Sequence, residues 1–186
     1  MLNSFLDKFI FTNTLSYKHH NFFLATLPFV IIPTDFVAHI IRADNPGLNV
    51  ELYYSIKGSV LMSLKKEFAA EFGISGEKGL EFLETFFSAC GWGDLQRKQL
   101  DPDKKHAIVS VENSPMPPRC PKAKFPVDLL TRAYLAAIYS VYFRSPVECV
   151  EAQCAISGSN TCEFVIKPLE DFNFENKVTR MQLKVE

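Results

Sequence analysis

Two cysteines in the last third of the chain flank a short polar turn, and this pattern restricts the local fold more than any other. A Ser-Gly-Ser-Asn stretch lies between Cys154 and Cys162, and a strand-like run continues from Cys162. Glycine, serine and asparagine are typical of turns between strands. The segment therefore predicts a β-hairpin with strands at 147–154 and 162–166.

The same hairpin carries one carboxylate close to its two thiols, because Glu151 lies three residues before Cys154. Thiolates favour zinc-like metals, and a carboxylate can complete a mixed ligand set. The alternative is a pair of buried cysteines that pack as small hydrophobic residues, with Glu151 on the surface. The cysteine spacing lies outside the common zinc patterns, so the residues alone leave both interpretations open.

The composition predicts one folded domain over residues 1–186, because 47% of the residues are hydrophobic and the net charge is −1. A net charge near zero argues against a nucleic-acid binder, which needs a basic face. The longest apolar run, Phe22 to Ile32, contains Pro28 and is too short to span a membrane.

The cysteines also bear on the cellular compartment. The five are Cys90, Cys120, Cys149, Cys154 and Cys162. Their number is odd, and the N-terminus lacks the basic region and cleavage site of a signal peptide, so we expect a cytoplasmic protein. In that reducing compartment, clustered cysteines indicate metal binding rather than disulfides.

We expect residues 1–48 to form an N-terminal extension and a first helix. Residues 21–32 are interpreted as a strand or as irregular extended chain, in which Pro28 forbids a central strand position. A helix is predicted to start at Thr34. Its predicted apolar face consists of Phe36, Val37, Ile40 and Ile41.

The rest of the chain predicts helices and strands in alternation. Apolar residues at helical spacing predict three further helices, at 49–72, 75–90 and 126–143. A strand is predicted at 106–112, with Ile108 as its clearest inward-facing residue, and a last strand at 179–185. This order predicts an α+β fold, with helices packed on one antiparallel sheet of about four strands.

Apolar side chains on the 75–90 and 126–143 helices, and on the turn after the first of them, are candidates for a ligand pocket. The predicted pocket residues are Trp92, Phe82, Phe86, Tyr134 and Ile138, with Phe87 and Tyr142 as further members of the same set. An apolar stripe at helical spacing also occurs in an ordinary core, so the pattern leaves pocket and core open. Trp92 is the strongest single candidate because two glycines flank it in a turn.

Several segments resemble the 4-vinyl reductase-like domain family. That family shares its fold with TRAPP vesicle-tethering subunits and with the sensor modules of phenol-responsive bacterial activators. The matching segments are Gly91-Trp92-Gly93, Val109–Pro115, Pro126-Val127 before a helix of small residues, and Glu151-x2-Cys154-x7-Cys162-Glu-Phe. They extend over residues 75–168, which we expect to be the core of the domain. Residues 21–41 also resemble the N-terminal part of stand-alone prokaryotic members.

The resemblance implies a structural zinc ion beside an apolar pocket. In the phenol sensors, three cysteines and one glutamate hold this zinc, and Glu151, Cys154 and Cys162 match three of the four ligands. The remaining cysteine is expected just after the Pro-Val pair, where this chain has Asp128.

Asp128 is therefore the predicted fourth ligand, although its oxygen is a harder donor than a thiolate. Cys120 and Cys149 are the alternatives for this position. An aspartate at the start of the 126–143 helix also suits the helix dipole. The two roles of Asp128 are compatible.

The implied function is a binding or sensor domain for a small apolar or aromatic molecule. The resemblance further implies a homodimer, and without an attached effector segment the signal would pass to a downstream protein partner. The alternatives are an accessory protein or enzyme in tetrapyrrole or vinyl-group metabolism, and a tethering or assembly protein like the TRAPP subunits. The chain has no nicotinamide or flavin fingerprint, so we do not favour enzymatic activity. We expect neither nucleic-acid binding nor a membrane span.

Overall fold

The computed structural model of the chain describes residues 15–24, 27–41, 45–64, 76–121, 123 and 126–183. Its strands are β1 (Leu15–Lys18), β2 (Asn21–Leu24), β3 (Leu27–Phe29), β4 (Asp94–Asp101), β5 (His106–Glu112), β6 (Glu148–Gln153) and β7 (Thr161–Lys167). Its α-helices are α1 (Thr34–Ile40), α2 (Pro46–Ser63), α3 (Gly76–Ala89), α4 (Leu129–Phe143) and α5 (Lys177–Leu183).

The core of the fold is a four-stranded antiparallel sheet in the order β4-β5-β7-β6. The predicted hairpin is its β6–β7 pair, in which Glu151 lies opposite Phe164. Apolar side chains of α2, α3, α4 and α5 join those of the sheet in one hydrophobic core. The predicted α+β class, with helices packed on an antiparallel sheet, is therefore confirmed.

Alternation along β5 decides which of its side chains enter the core. Ala107, Val109 and Val111 are fully buried, whereas Ile108 is half-buried on the other face. The prediction that Ile108 is the main inward residue is therefore wrong. Small side chains at Ala107 and on α4, where three alanines are fully buried, allow the helix to pack closely on the sheet.

Helix α2 begins earlier than the predicted start at residue 49. The side-chain oxygen of Asn45 accepts a hydrogen bond from the Leu48 N–H at 3.1 Å, and Pro46 occupies the first turn. Asparagine at the N-cap and proline at the first position are both favourable for a helix start. Residues 65–75, which include the predicted end of this helix, lie outside the described residues.

Two further elements differ from expectation. Strand β4 was not predicted, because its sequence Asp-Leu-Gln-Arg-Lys-Gln-Leu-Asp is mostly polar. The predicted strand at 179–185 is wrong, because helix α5 ends at Leu183 and includes the part of that strand which the structure describes. Thr179, Gln182 and Leu183 are its buried residues, and their spacing of three and four follows the helical period.

Strands β1, β2 and β3 form a separate antiparallel sheet, with Phe22 and Phe29 stacked across β2 and β3. Pro28 lies in the edge strand β3, as its lack of an N–H requires.

Helix α1 follows this sheet, and its buried face differs from the predicted apolar face. It buries Val37 and the following Ile41, but Phe36 and Ile40 point away from them and are about half exposed. Among the described helices, none has the length and apolar character that a membrane crossing requires.

Candidate functional site

Four side chains with ionisable groups meet in the interior beside the β6–β7 hairpin. Each of Asp128, Glu151, Cys154 and Cys162 offers one ligand atom, and the four atoms lie within 4.8 Å of one another. Asp128 directly precedes α4, Glu151 belongs to β6, Cys154 directly follows β6, and Cys162 belongs to β7. All four residues are buried. We call this group the acidic cluster.

The hairpin geometry places the two thiols on the same side. After β6, residues Ala155–Ser157 form a short 3-10 turn, and Gly158 closes it with a φ of 95° that favours glycine. The Ala155 N–H donates to the Cys162 Sγ at 3.3 Å, and the Ser157 N–H donates to the Cys154 carbonyl at 3.0 Å. These bonds fold the turn back so that Cys154 faces Cys162.

Hydrogen bonds also orient the carboxylates of the acidic cluster. The Ser114 hydroxyl donates to Asp128 Oδ1 at 2.7 Å, and the Cys162 thiol donates to Asp128 Oδ2 at 3.1 Å. The Asp128 N–H donates to Glu151 Oε2 at 3.0 Å. Asp128 is thus at the N-cap of α4, as its position predicts, while its side chain points into the cluster.

One oxygen of the acidic cluster has no hydrogen-bond donor among the described residues. Glu151 is fully buried, and no described residue donates to its Oε1 with good geometry. The Cys154 thiol is nevertheless close enough to raise the pKa of this carboxyl. Buried acceptors without a donor are uncommon in folded proteins, and a bound cation would satisfy this one.

Burial makes it costly for all four groups to be ionised together. Burial and the neighbouring Asp128 raise the pKa of Glu151 well above its usual range, and burial also raises the pKa of Asp128. The contact between the two thiols lowers the pKa of Cys154 to about 6 and raises the pKa of Cys162. The metal-free cluster therefore retains protons that a divalent cation would displace.

The donor set fits a zinc-like ion. Two sulfur and two carboxylate donors in one buried group supply the four ligands of a structural zinc site, and zinc binds both types of donor. Calcium and magnesium prefer oxygen donors alone. Among the described residues, the group includes neither of the predicted alternatives. Cys120 is half-buried, and burial together with Asp128 and Cys154 raises the pKa of its thiol. Cys149 is buried on β6.

A cavity of about 410 Å³ lies between the start of α3 and the end of α4. It is lined by Gly76, Gly79, Leu80, Leu83, Pro102, Ile138, Val141, Tyr142, Phe143 and Arg144. Of the five predicted pocket residues, Ile138 is in this lining, and so is Tyr142 from the wider set. The sequence pattern did not mark the two leucines and two glycines of α3 as pocket residues.

The other predicted pocket residues are not in this lining, and two of them, Trp92 and Tyr134, pack around Phe87. Its ring stacks on Trp92 at 6.4 Å and packs against Tyr134 at 5.3 Å, both measured between ring centroids. The Tyr134 hydroxyl donates to the Leu83 carbonyl at 2.9 Å. Phe82 and Phe86 stack on each other along α3.

A second hollow, of about 430 Å³, lies between the proline-rich loop and the hairpin turn. Ser114, Pro117, Ile156 and Asn160 are among its lining residues. Since Ser114 also donates to Asp128, this residue connects the hollow to the cluster. Sequence reasoning did not assign a role to Ser114, although it lies in one of the segments that resemble the family.

Residues 107–168 match the model of the 4-vinyl reductase domain family. These residues, about a third of the chain, are similar to that family. This match confirms the resemblance seen in the sequence, and it contains all four residues of the acidic cluster. A comparison with curated proteins finds no match.

The solved structures that are similar to the chain include the following three. The first is the phenol-responsive sensory domain of the transcription activator PoxR with phenol, with a TM-score of 0.74, 13% identity and 96% of each chain covered. The second is a trafficking protein particle complex subunit 3 from Naegleria fowleri, covalently bound to palmitic acid, with a TM-score of 0.48, 12% identity, and 72% of this chain and 86% of that chain covered.

The third is a vinyl-4-reductase family protein from Methanocaldococcus jannaschii, with a TM-score of 0.40 and 18% identity. The alignment covers 75% of this chain and 98% of that chain. The likeness to the PoxR sensory domain extends over nearly the whole chain, including the part before residue 107, and shows that the two share a fold.

Proposed function

We propose that this protein binds a small apolar or aromatic molecule and carries a structural zinc ion in the acidic cluster of its 4-vinyl reductase domain. The observation that carries the proposal is the buried group of two thiols and two carboxylates, in which Glu151 Oε1 has no donor in the part of the chain that the structure describes. The zinc would link the start of α4 to both strands of the β6–β7 hairpin. Such a cross-link stabilises a fold without taking part in a reaction.

The cavity between α3 and α4 is the proposed ligand site. Its volume of about 410 Å³ lies within the range of small-molecule pockets. Leu80, Leu83, Ile138 and Val141 give it an apolar wall, and Tyr142 adds an aromatic ring. The shared fold with a sensory domain crystallised with phenol supports an aromatic ligand.

The proposal includes a homodimer whose ligand state is passed to a partner protein. Large apolar side chains are exposed around β3 and α1, namely Val30 at 76%, Ile31 at 74% and Phe36 at 58%. Contiguous apolar surface of this kind is typical of protein interfaces. All five cysteines are free, which supports a reducing, cytoplasmic setting.

The metal part of the proposal is tested by mass spectrometry after incubation with zinc chloride. The wild-type protein should carry one zinc ion under native conditions and lose it on denaturation. The double variant Cys154→Ser/Cys162→Ser should carry none, while Cys90→Ser, which changes an exposed cysteine, should retain the metal. Full zinc content in the double variant would contradict the assignment.

The ligand part is tested with phenol as the probe. Phenol should raise the thermal midpoint of the wild-type protein, because a ligand that binds the folded state stabilises it by mass action. Val141→Phe would fill part of the cavity and should weaken phenol binding at least about tenfold, a free-energy change of about 1.4 kcal/mol. Met62→Phe, on exposed surface of α2, is the control. Equal phenol binding by both variants would reject this cavity.

A further inference from the structure

The outer edge of strand β6 is covered by side chains instead of by another strand. The backbone groups of Val147, Cys149 and Glu151 that point away from β7 all have side-chain partners. The Val147 N–H donates to the Ser140 hydroxyl at 3.0 Å, and its carbonyl accepts from Lys57 Nζ at 2.8 Å. The partners come from three helices, so the edge is fixed by the helical layer.

Cys149 continues this pattern two residues further along the edge. Its N–H donates to the Tyr53 hydroxyl at 2.9 Å, and its carbonyl accepts from Arg132 Nε at 3.1 Å. Both partners are buried, and the Arg132 guanidinium lies 4.5 Å from the centre of the Tyr53 ring. Both backbone groups of Cys149 therefore have a buried side-chain partner.

At Glu151 a single side chain from the C-terminal helix α5 satisfies both backbone groups. The Glu151 N–H donates to Gln182 Oε1 at 2.9 Å, and Gln182 Nε2 donates to the Glu151 carbonyl at 3.0 Å. The amide of Gln182 thus bonds to β6 as a neighbouring strand residue would. Gln182 is itself only 6% exposed.

Gln182 is held in place from two further directions. The Arg132 guanidinium donates to the Gln182 carbonyl at 2.6 Å, and the Tyr54 hydroxyl donates to the carbonyl of the next residue, Leu183, at 3.1 Å. The last turn of α5 is therefore attached to α4, α2 and β6 at once. These bonds fix where the amide of Gln182 meets Glu151.

The ladder on the other side of Glu151 is irregular. Glu151 pairs with Phe164, but the register shifts between Glu151 and Gln153. Such a break in the register leaves the path of the strand less determined by β7. The bidentate bond from Gln182 is thus a main constraint on the backbone that carries the Glu151 carboxylate into the acidic cluster.

We propose that Gln182 is a positioning residue for the metal ligand Glu151, and that attachment of α5 to strand β6 and binding of zinc stabilise each other. The inference rests on the zinc site of the proposed function. Two binding events that share one residue are linked, and the linkage acts equally in both directions. Zinc should therefore protect α5 from opening, and loss of the Gln182 amide should weaken zinc binding.

The test measures the zinc dissociation constant by competition with a chromophoric chelator in full-length protein. Gln182→Ala should raise this constant about tenfold, as loss of a group that orients a metal ligand commonly does. Gln182→Glu keeps the acceptor for the Glu151 N–H and removes the donor to its carbonyl, and should also weaken binding. It serves as the second variant if the alanine protein does not fold.

Val37→Ala is the matched control, because it removes a buried side chain of α1, a helix that has no described hydrogen bond to the edge of β6. It should lower the thermal midpoint and leave the zinc dissociation constant unchanged. Hydrogen exchange gives an independent readout: zinc should slow exchange of the α5 amides in the wild-type protein, and this effect should vanish in Gln182→Ala.

The outcomes separate this inference from the metal site itself. A wild-type protein that binds no zinc would overturn both. A wild-type protein that binds zinc, with a Gln182→Ala variant that binds it within twofold and the same exchange in α5 with and without the metal, would overturn the positioning role alone.

Discussion

Strands β6 and β4 are the two edges of the same sheet, and they are protected in different ways. Along the β6 edge, the residues whose backbone N–H and carbonyl groups point away from β7 are Val147, just before the strand, Cys149 and Glu151. These groups are bonded to side chains of α2, α4 and α5. Along β4, the described contacts of this kind are fewer, such as the Leu95 N–H with the Ser88 hydroxyl at 3.0 Å.

The β4 edge relies on charge and irregular shape. Arg97 pairs with Glu77 at 3.1 Å and with Glu84 at 3.4 Å, Lys98 is exposed, and the register shifts between Arg97 and Gln99. Charged side chains and bulges prevent an edge strand from pairing with another chain. The comparison shows that the edge carrying a candidate metal ligand is the more buried one and the one with more hydrogen bonds to side chains.

The largest expected effect comes from the buried ion pair that supports the β6 edge. Lys57 Nζ lies 2.6 Å from Glu148 Oε1, and the Tyr53 hydroxyl donates to Glu148 Oε2 at 2.7 Å. Lys57→Met should lower the free energy of unfolding by about 3–5 kcal/mol, because it leaves a buried carboxylate without its counter-ion. Urea denaturation measures this change.

The control for that prediction lies on the other edge. Lys98→Met removes an exposed charge of β4 and should change the free energy of unfolding by at most about 0.5 kcal/mol. Equal losses in the two variants would show that the two edges do not differ in the way described.

Removal of zinc should affect the β6 edge and spare β4. At free zinc about a hundredfold above its dissociation constant, the metal would contribute about 2.7 kcal/mol of stability. A chelator should therefore lower the thermal midpoint and increase hydrogen exchange in β6, β7 and α5, with little change in β4. An equal increase in hydrogen exchange in all four strands of the sheet would argue against a local cross-link.

Substitution of Gly93 measures how much the close approach between the start of β4 and strand β5 contributes to stability. Its φ is +112°, and a Cβ there would lie 2.6 Å from Val111 Cγ1 and 2.7 Å from the Glu112 carbonyl oxygen. Gly93→Ala should lower the free energy of unfolding by about 2 kcal/mol, because backbone strain and a clash with β5 add together. Thermal unfolding measures the loss.

Gly91→Ala is the matched variant, since Gly91 also has a positive φ but has nothing within 4 Å of the added Cβ. It should cost about 1 kcal/mol from strain alone. If the two variants lose the same stability, the close approach to β5 has no energetic weight.

The smallest expected effect is a pH dependence at Glu84, which links α3 to Arg97 of β4. Burial raises the pKa of Glu84, although the Tyr139 hydroxyl bound to it and Arg97 oppose the shift. Glu81 and Glu77 lie on the same face of α3, and their negative charges raise the pKa of Glu84 further.

A raised folded-state pKa means that the stability contributed by protonated Glu84 is present at low pH and is lost as the pH rises through that pKa. The free energy of unfolding of Glu84→Gln, measured relative to wild type by urea titration, should therefore increase as the pH rises from about 4.5 to about 7. A constant difference between the two proteins over this range would contradict the shift.

The sequence predicted those parts of the fold whose local signals agree with the tertiary structure. The turn between Cys154 and Cys162, and the long apolar pattern of α4, predicted the hairpin and the helix that meet at the acidic cluster. All four proposed ligands came from spacing together with the family resemblance. Their proximity is observed in the structure, while metal binding stays a prediction.

The missed features depend on partners that are remote in sequence. Strand β4 has a polar sequence because it is an edge strand that forms ion pairs with α3, so it lacks the alternation expected of a buried strand. The role of Gln182 depends on Glu151, which lies 31 residues away. A single glutamine on a short helix gives no local signal of such a contact.

The covered edge of β6 also bears on how this protein can be divided. The match to the domain family ends at residue 168, yet Tyr53 lies before the matched residues and Gln182 after them, and both complete backbone bonds of β6. A fragment of residues 107–168 would keep every proposed metal ligand and expose a row of backbone amides and carbonyls without partners. Such a fragment would be prone to aggregate, so the limits of the recognisable domain are narrower than the limits of the unit that can fold.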